Sequence, residues 1–527
     1  MMIEDPITFE VIKNSLISTA REMSYALQRT AFSPNIKERR DCSCAVFDDE
    51  GRLIAQSRDI PVHLGALPLS VQACIITLGK DIKLGTMALL NDPYSGGSHL
   101  PDITLVSPVF IDDQHIGFVA NRAHHADVGG ISPGSMPGLS MHIEEEGIVI
   151  APRIVVRNGH LDKENVRDLL EATRTPQERE GDIAAQIAAN NVGLKRMASV
   201  VHRHGLNQVL RTFDDLRFYS RSMMMSALSG YSGKNGSFID YMESDGAGNF
   251  DIPIQTTISI SENNVSISFD GTAPQVDGNI NCPIASTLSS VYYVFIAIFG
   301  HGVPTNDGCW SILDVHVPEG SLLNPKYPAA VSAGNVETSQ RIVDSVLGAL
   351  SAIAPGRIPA ASQGTMNNLT IGGFDSRTQK QFSFYETIGG GIGASPGVHG
   401  TSGIHSHMTN TLNTPIESLE SEYPLRVLKY SLRNGSGGQG KWRGGDGLIR
   451  EIELLVDDCV VSIQSERRTR APWGLDSGGN GETGSNLLIH ENYEHHLQAK
   501  TTVKALKGSV IRIETPGGGG WGSRFER

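Results

Sequence analysis

The sequence predicts an α+β fold, a multi-layer mixed structure with a largely β C-terminal region. Three observations predict it. Helical and strand-like periodicities fall in separate blocks rather than in alternating βαβ units. No repeat of fixed period runs through the chain. From about residue 425 onward, short strand-like runs are punctuated by glycine.

Each element has a local reason. Asp5 and Pro6 form a helix start, with an N-cap candidate followed by proline in the first turn. Ile7, Val11, Ile12, Leu16, Ala20, Met23 and Leu27 then recur at helical spacing. The stretch "DCSCAVFDDEGRLIAQS" reads as a hairpin turning near Asp49, Glu50 and Gly51. "LSVQACIITLG" reads as a short buried helix. "DITLVSPVF" and "IGFVANRAHH" read as two strands joined by a polar turn at Asp112, Asp113, Gln114 and His115. Residues 161–230 are mainly helical. "DIPIQTTISISENNVSISFDG" is strand-like and turns at Asn263 and Asn264. Residues 285–300 and 337–353 read as helices, and "NLTIGGFDSRTQKQFSFYET" as another hairpin. The blocks divide the chain into an N-terminal α+β region (1–160) carrying a metal-binding hairpin, a helical region (161–235), a central α+β region (236–424) and a mainly β region (425–527).

Composition excludes several classes of function. With 39% apolar and 19% charged residues, the 527-residue chain is globular rather than disordered. A formal net charge of −13 excludes a general nucleic-acid binder, which needs a basic face. The N-terminus lacks a basic segment followed by an apolar one, and "VYYVFIAIFG" is too short to span a bilayer. The expectation is a cytoplasmic protein without nucleic-acid or membrane partners. Its six cysteines, which include only one close pair, Cys42 and Cys44, are expected to be reduced thiols.

The hairpin carries the chemistry. A turn centred near residue 113 pairs Asp102 with position 123, 124 or 125. His99 lies three residues before Asp102, just outside the strand. Imidazole nitrogens and a carboxylate oxygen are donors suited to Zn²⁺, Mn²⁺ or Fe²⁺. His124 and His125 are consecutive, so on a strand they point to opposite faces and only one binds the ion directly. For any one of these histidines, a polar strand-end residue satisfied by its neighbours is the alternative reading. The convergence of both strand ends favours the metal.

Other segments carry less. No G-x-x-x-x-G-K-[ST] P-loop and no G-x-S-x-G elbow occur. "GGGIGA" at residues 389–394 fits a dinucleotide pattern in form, but no helix follows it, so it reads as a glycine-rich loop, or as a loop lining a cleft. His405 and His407 form a possible second metal pair that lacks a third ligand. Trp442 and Arg443 suit either internal packing or an interface. Glu417, Glu420 and Glu422 read as a solvated helix face. Cys42, beside Asp41, is a nucleophile candidate for which the sequence names no base.

Seven segments, "RRDCSCAVFD", "IPVHLGAL", "NDPYSGGSHLPDITLVSPVF", "NRAHHADVGGISPGSMPG", "HMTNTLNTPIESLE", "YSLRNGSGGQGKWRGGDG" and "ETPGGGGWG", together resemble the hydantoinase B/oxoprolinase family over nearly the whole chain. The resemblance implies a metal site on Asp41, His99, Asp102 and His124, holding one divalent transition metal, Zn or Mn, with Fe as an alternative. His125 and Asp127 are the expected catalytic proton carriers, and His63, like them, is a candidate for the surrounding shell. The implied activity is hydrolysis of cyclic amides (hydantoin, oxoproline or lactam rings) on an intermediate activated by a partner A-type subunit. That partner, not this chain, binds ATP, in a hetero-oligomer such as A2B2. The alternatives are a subunit of an ATP-dependent ketone carboxylase, akin to the acetone carboxylase alpha subunit, and a non-catalytic scaffold for the A subunit.

Overall fold

The computed structural model describes residues 3, 5–57, 59–491 and 493–524. The expected N-terminal helix, α1 (Pro6–Thr30), is capped as its sequence dictates: Asp5 Oδ1 accepts from the backbone N–H groups of Ile7 and Thr8, both at 3.1 Å. A short α2 (Pro34–Lys37) follows. The next seven strands are β1 (Cys42–Phe47), β2 (Leu53–Gln56), β3 (Met87–Leu90), β4 (Asp102–Ile111), β5 (Gln114–His124), β6 (Arg153–Arg157) and β7 (His160–Leu161). They form one antiparallel sheet in the order β2-β1-β5-β4-β3-β6-β7.

The middle of this sheet is covered on both faces. Cys42, Cys44, Val46, Val119 and Ala123 pack with α1 and with the long helices α5 (Pro176–His204) and α6 (Leu206–Leu228), which follow a short α4 (Arg167–Ala172). Ala45, Phe47, Val106, Phe118 and Ala120 pack on the other face against α3 (His63–Leu78). Double coverage explains why "CSCAVF" is buried at every position instead of alternating. The helix expected over "LSVQACIITLG" starts earlier, at His63, with Pro68 inside it. Proline in a helix usually marks a boundary, because it lacks an N–H and crowds the preceding turn. Here the helix continues through it.

A second sheet contains β8 (Asn235–Ser244), β9 (Phe250–Ile260), β10 (Val265–Ser268) and β11 (Leu313–His316), with only the β10–β11 pair parallel. It packs with α7 (Ile284–Phe299) and α9 (Ser339–Ile353), and a short α8 (Asp307–Trp310) lies between those helices in sequence. One apolar cluster runs from Ala45 to Met408, joining the α3 face of the first sheet to this layer. The helical stretch likewise packs back on α1 and the first sheet.

The C-terminal region is mainly β, as its pattern predicts. The hairpin β12 (Asn368–Asp375) and β13 (Lys380–Glu386) joins β16 (Cys459–Gln464) and β19 (Lys500–Ala505) in the order β13-β12-β16-β19. After α10 (Ile416–Glu422), strands β14 (Leu425–Arg433), β15 (Gly447–Leu454), β17 (Ser485–His490), β18 (Tyr493–His496) and β20 (Val510–Glu514) form a sheet in the order β14-β15-β20-β17-β18. The glycine-rich segments between them are packed layers of backbone rather than loose loops. A Cβ on Gly393 would sit 1.8 Å from the Ala360 carbonyl oxygen, and one on Gly444 2.0 Å from that of Gly518. Backbones this close admit only glycine. "GGGIGA" is thus a packing segment.

A buried pair ties the two C-terminal sheets together. Arg450 on β15 donates through Nε and Nη2 to Glu386 at the end of β13, at 3.0 and 3.1 Å, with both side chains about 1% exposed or less. Arg450→Met leaves the Glu386 carboxylate buried without its cation, so the expected loss of stability is about 3–5 kcal/mol. A denaturant unfolding curve compared with wild type checks it.

Candidate metal centre

Register builds the site. On the β4–β5 hairpin Asp102 pairs with His124, and the two-residue turn uses positive φ at Asp112 (46°) and Asp113 (65°). On β5, Arg122 and His124 share a face. Arg122 donates to Ser70 Oγ of α3 at 2.8 Å, which identifies that face as the α3 side of the sheet. β1 lies on the other side of β5, and His124 N–H donates to the Asp41 carbonyl at 3.0 Å, just before that strand begins.

His99 arrives on the loop that precedes β4. This loop lies against α3 so closely that a Cβ on Gly96 (φ +87°) would be 2.5 Å from the Leu69 carbonyl carbon. The glycines of "GGSH" are therefore what lets the loop pass under the helix. A turn in which Asp102 N–H bonds the His99 carbonyl at 3.1 Å then brings the two side chains together. The early start of α3 adds His63 from a third direction.

His99, Asp102 and His124 are each 2% exposed or less, and one ligand atom from each lies within 4.8 Å of the others. Among the described residues this is the one group of three or more such side chains that converges so closely. His99 Nε2 is 3.3 Å from Asp102 Oδ2, and His63 Nε2 is 3.5 Å from it. Ser98 Oγ donates to the same oxygen at 2.5 Å, and Arg122 Nη1 supports Ser98 at 3.2 Å. Asp41 lines the same cavity, with its carboxylate 4.0 Å from Arg39 Nη2, but it stands outside the 4.8 Å set.

The donor set fits a cation. Both ring nitrogens of His99 and Nε2 of His124 are buried without a hydrogen-bond partner. Orphaned buried nitrogens are costly unless something binds them. Burial, aided by the nearby charges of His99 and Arg39, pushes His124 well below the usual imidazole range, so it is a neutral donor. Burial alone would raise the Asp102 carboxyl, but His99 and His63 overcome it and hold the group well below the usual carboxylate range. The cavity measures about 20 Å³, room for one ion or water.

The two expected proton carriers lie elsewhere. His125 projects to the opposite face of the sheet, where Nε2 meets Gln186 Oε1 of α5 at 3.0 Å. Burial and the Arg179 charge push it down to about 4. Asp127 is fully buried and saturated. It accepts from the N–H groups of Gly129, Gly134 and Arg174, from Thr173 Oγ1 and from Arg174 Nη1, all at 3.0–3.3 Å. It staples a loop and has no free lone pair facing the cluster. His405 and His407 are buried but gather no third ligand; His407 lies 3.4 Å from the Tyr293 hydroxyl. The residues just after them, Met408 and Thr409, do line the cavity. Cys42 is buried, and burial holds its thiol well above the usual range, which leaves it unreactive. All six cysteines are free thiols. Glu417 and Glu422 lie exposed on α10, and Glu420 accepts from the Val427 N–H at 2.9 Å. Trp442 packs on Trp521, with ring centroids 5.3 Å apart. Among the described residues no helix is long and apolar enough to cross a membrane.

Sequence reasoning missed the cavity wall. Tyr385 on β13 stacks on His124 with centroids 4.5 Å apart and planes 6° apart, and Arg39 lies 4.7 Å from the Tyr385 ring. Asn335, Val336, Met366 and Thr387 complete that side. No local pattern marks these residues, because they lie more than 200 positions from the hairpin. The two roles of Asp127 and the cluster separate by experiment. Asp127→Ala is expected to lower stability by about 3 kcal/mol while leaving divalent-ion affinity within about twofold of wild type; unfolding curves and zinc titration check it.

Known proteins share this chain's sequence and fold. A family model described as Hydantoinase B/oxoprolinase matches residues 5–524. An uncharacterized protein of Methanocaldococcus jannaschii is 42% identical over 99% of this chain and 92% of its own length. A protein named 5-oxoprolinase from Dictyostelium discoideum is 39% identical over 99% of this chain, which spans 40% of that longer protein. A putative B subunit of a D-/L-hydantoinase from a Pseudomonas species is 32% identical over 99% of this chain and 91% of its own. Among solved structures, an ATP-dependent caprolactamase from Pseudomonas jessenii superposes with a TM-score of 0.91 at 27% identity, covering 99% of this chain and 92% of that one.

Proposed function

The chain belongs to the hydantoinase B/oxoprolinase family, and from that premise we propose that it is the metal-dependent B subunit of an ATP-dependent cyclic amide hydrolase. The observation that carries the proposal is the buried group of His99, Asp102 and His124 with its orphaned nitrogens. His99, Asp102 and His124 would hold one divalent transition metal, zinc or manganese, with Asp41 beside them. When bound, such an ion supplies a Lewis acid that polarises a carbonyl and acidifies water. ATP is bound by an A-type partner, which delivers an activated ring; an A2B2 complex is the simplest assembly. Two relatives support this division of labour: the Pseudomonas hydantoinase chain is one subunit of a larger enzyme, and the caprolactamase is ATP-dependent.

The chain's own residues have assignable tasks. Ser98 and Arg122 fix the Asp102 carboxylate. Ile60 N–H donates to Ser43 Oγ at 3.2 Å, and Ser43 lies 2.8 Å from His63 Nδ1. With the Ser43 hydroxyl donating to Nδ1, His63 holds its proton on Nε2, toward Asp102. His63 thus takes the proton-carrying place expected of His125 and Asp127. The ion cavity is too small for a lactam. A neighbouring cavity of about 320 Å³ shares Ile60 with it and is lined by Asn14, Ser43, Gln56, Asp59 and Tyr293. It is of the size that binds small ligands.

The test is ring opening by the chain reconstituted with an A-type subunit and ATP on a panel of oxoproline, hydantoin and caprolactam. Wild type is expected to open at least one ring. Asp102→Ala is expected to lose several kcal/mol of transition-state stabilisation, about a thousandfold in rate. Full activity in a folded Asp102→Ala complex would refute a catalytic role and leave a scaffold.

A further inference from the structure

His124 is held unevenly for a metal ligand. A metal-bound imidazole is normally oriented by a hydrogen bond on its other nitrogen. Here the contact from His124 Nδ1 to Asn35 Nδ2 is long, at 3.4 Å. The closer restraint is the parallel Tyr385 ring. What, then, holds Tyr385?

Its hydroxyl donates to Asn368 Oδ1 at 2.9 Å, across the β12–β13 pair. Asn368 Nδ2 in turn donates to Glu337 Oε1 at 2.8 Å, and the Met366 N–H donates to the same oxygen at 3.0 Å. Glu337 is fully buried, and its Oε2 has no hydrogen-bond partner. It lies in the turn Gly334–Thr338, the one π-helical turn among the described residues. Such turns insert a residue into a helix and often mark functional sites. Its neighbours Asn335 and Val336, together with Met366, line the ion cavity. A buried carboxyl facing no cation, beside a cavity wall, is an expensive choice unless its hydrogen bonds matter. Burial pushes Glu337 up to about 8, so near neutral pH it serves as a hydrogen-bonding group rather than a charge.

We propose that Glu337, Asn368 and Tyr385 form a brace that positions the His124 ring for the metal. None of the three touches the ion; all act through His124. The inference rests on the metal reading above.

The experiment is zinc titration of the metal-depleted full chain against a chromophoric chelator, with the visible spectrum of the cobalt form as a second readout. Tyr385→Leu is expected to weaken zinc binding about 10–100-fold and to change the cobalt spectrum. Tyr385→Phe, which keeps the ring but loses the hydroxyl bond, is expected to cost about tenfold, as is Glu337→Ala. Glu337→Gln keeps an oxygen for both donors and is expected to stay within about threefold of wild type. The Glu337→Ala/Tyr385→Phe pair is expected to be no worse than the weaker single variant, because both break one chain of bonds. Tyr385→Phe and Glu337→Gln are close in shape to wild type, so loss of folding does not hide the answer. Wild-type zinc affinity and an unchanged cobalt spectrum in Tyr385→Phe would overturn the brace while leaving the metal site standing, and so would additive losses in the double variant. Wild type that binds neither zinc nor cobalt would overturn the metal reading, and the brace with it.

Discussion

Everything at the site depends on one register, the pairing of Asp102 with His124 across the β4–β5 hairpin. A one-residue slip would turn His124 to the α5 face and bring His125 to the α3 face. The register is held from several directions. The two-residue turn fixes it at one end. At the other, His124 N–H bonds the Asp41 carbonyl and His125 N–H bonds the Pro101 carbonyl. Burial on both faces then makes any slip costly, because Arg122 and Asn121 each have partners only on their own side. Two consecutive histidines therefore have different fates. One joins an unsatisfied cluster and the other satisfies a helix.

The rest of the fold brings distant segments to that hairpin. The turn before β1 supplies Arg39, which is fully buried and donates to the Tyr385 carbonyl and to Thr387 Oγ1, so the N-terminal sheet and the β12–β13 hairpin are tied directly over the cavity. α3 supplies His63, and the π-turn supplies the wall behind Tyr385. A buried polar site of this kind is satisfied only when all its contributors are present. The long apolar cluster from Ala45 to Met408 and the glycine-packed C-terminal layers keep those contributors in place.

The legible part of this arrangement is the local part. Strand periodicity and a polar turn suffice to predict which residue faces Asp102, because a hairpin is its own ruler. The cap at Asp5, the hairpin ending in Tyr385 and the β-rich C-terminal region were readable for the same reason. His63 was readable only as a residue near the site, since Pro68 disguises the first turn of α3 as a boundary. The roles expected of His125 and Asp127 rested on closeness along the chain. The strand sends His125 to the wrong face, and the loop hydrogen bonds consume Asp127. Asp41 came from family resemblance alone, and Tyr385, Asn368 and Glu337 had no signal at all. Contacts spanning more than 200 residues leave no spacing in a single sequence. "GGGIGA" misled in the other direction, because close backbone packing and open loops use the same residue.

The most direct test of the central claim is the metal content of the purified full-length chain by elemental mass spectrometry, beside a His99→Ala/Asp102→Ala variant whose fold is checked by circular dichroism. About one transition-metal ion per wild-type chain, absent from the folded variant, is the predicted result. A metal-free wild type that stays so after incubation with zinc and manganese, or a variant that retains the ion, would contradict the account.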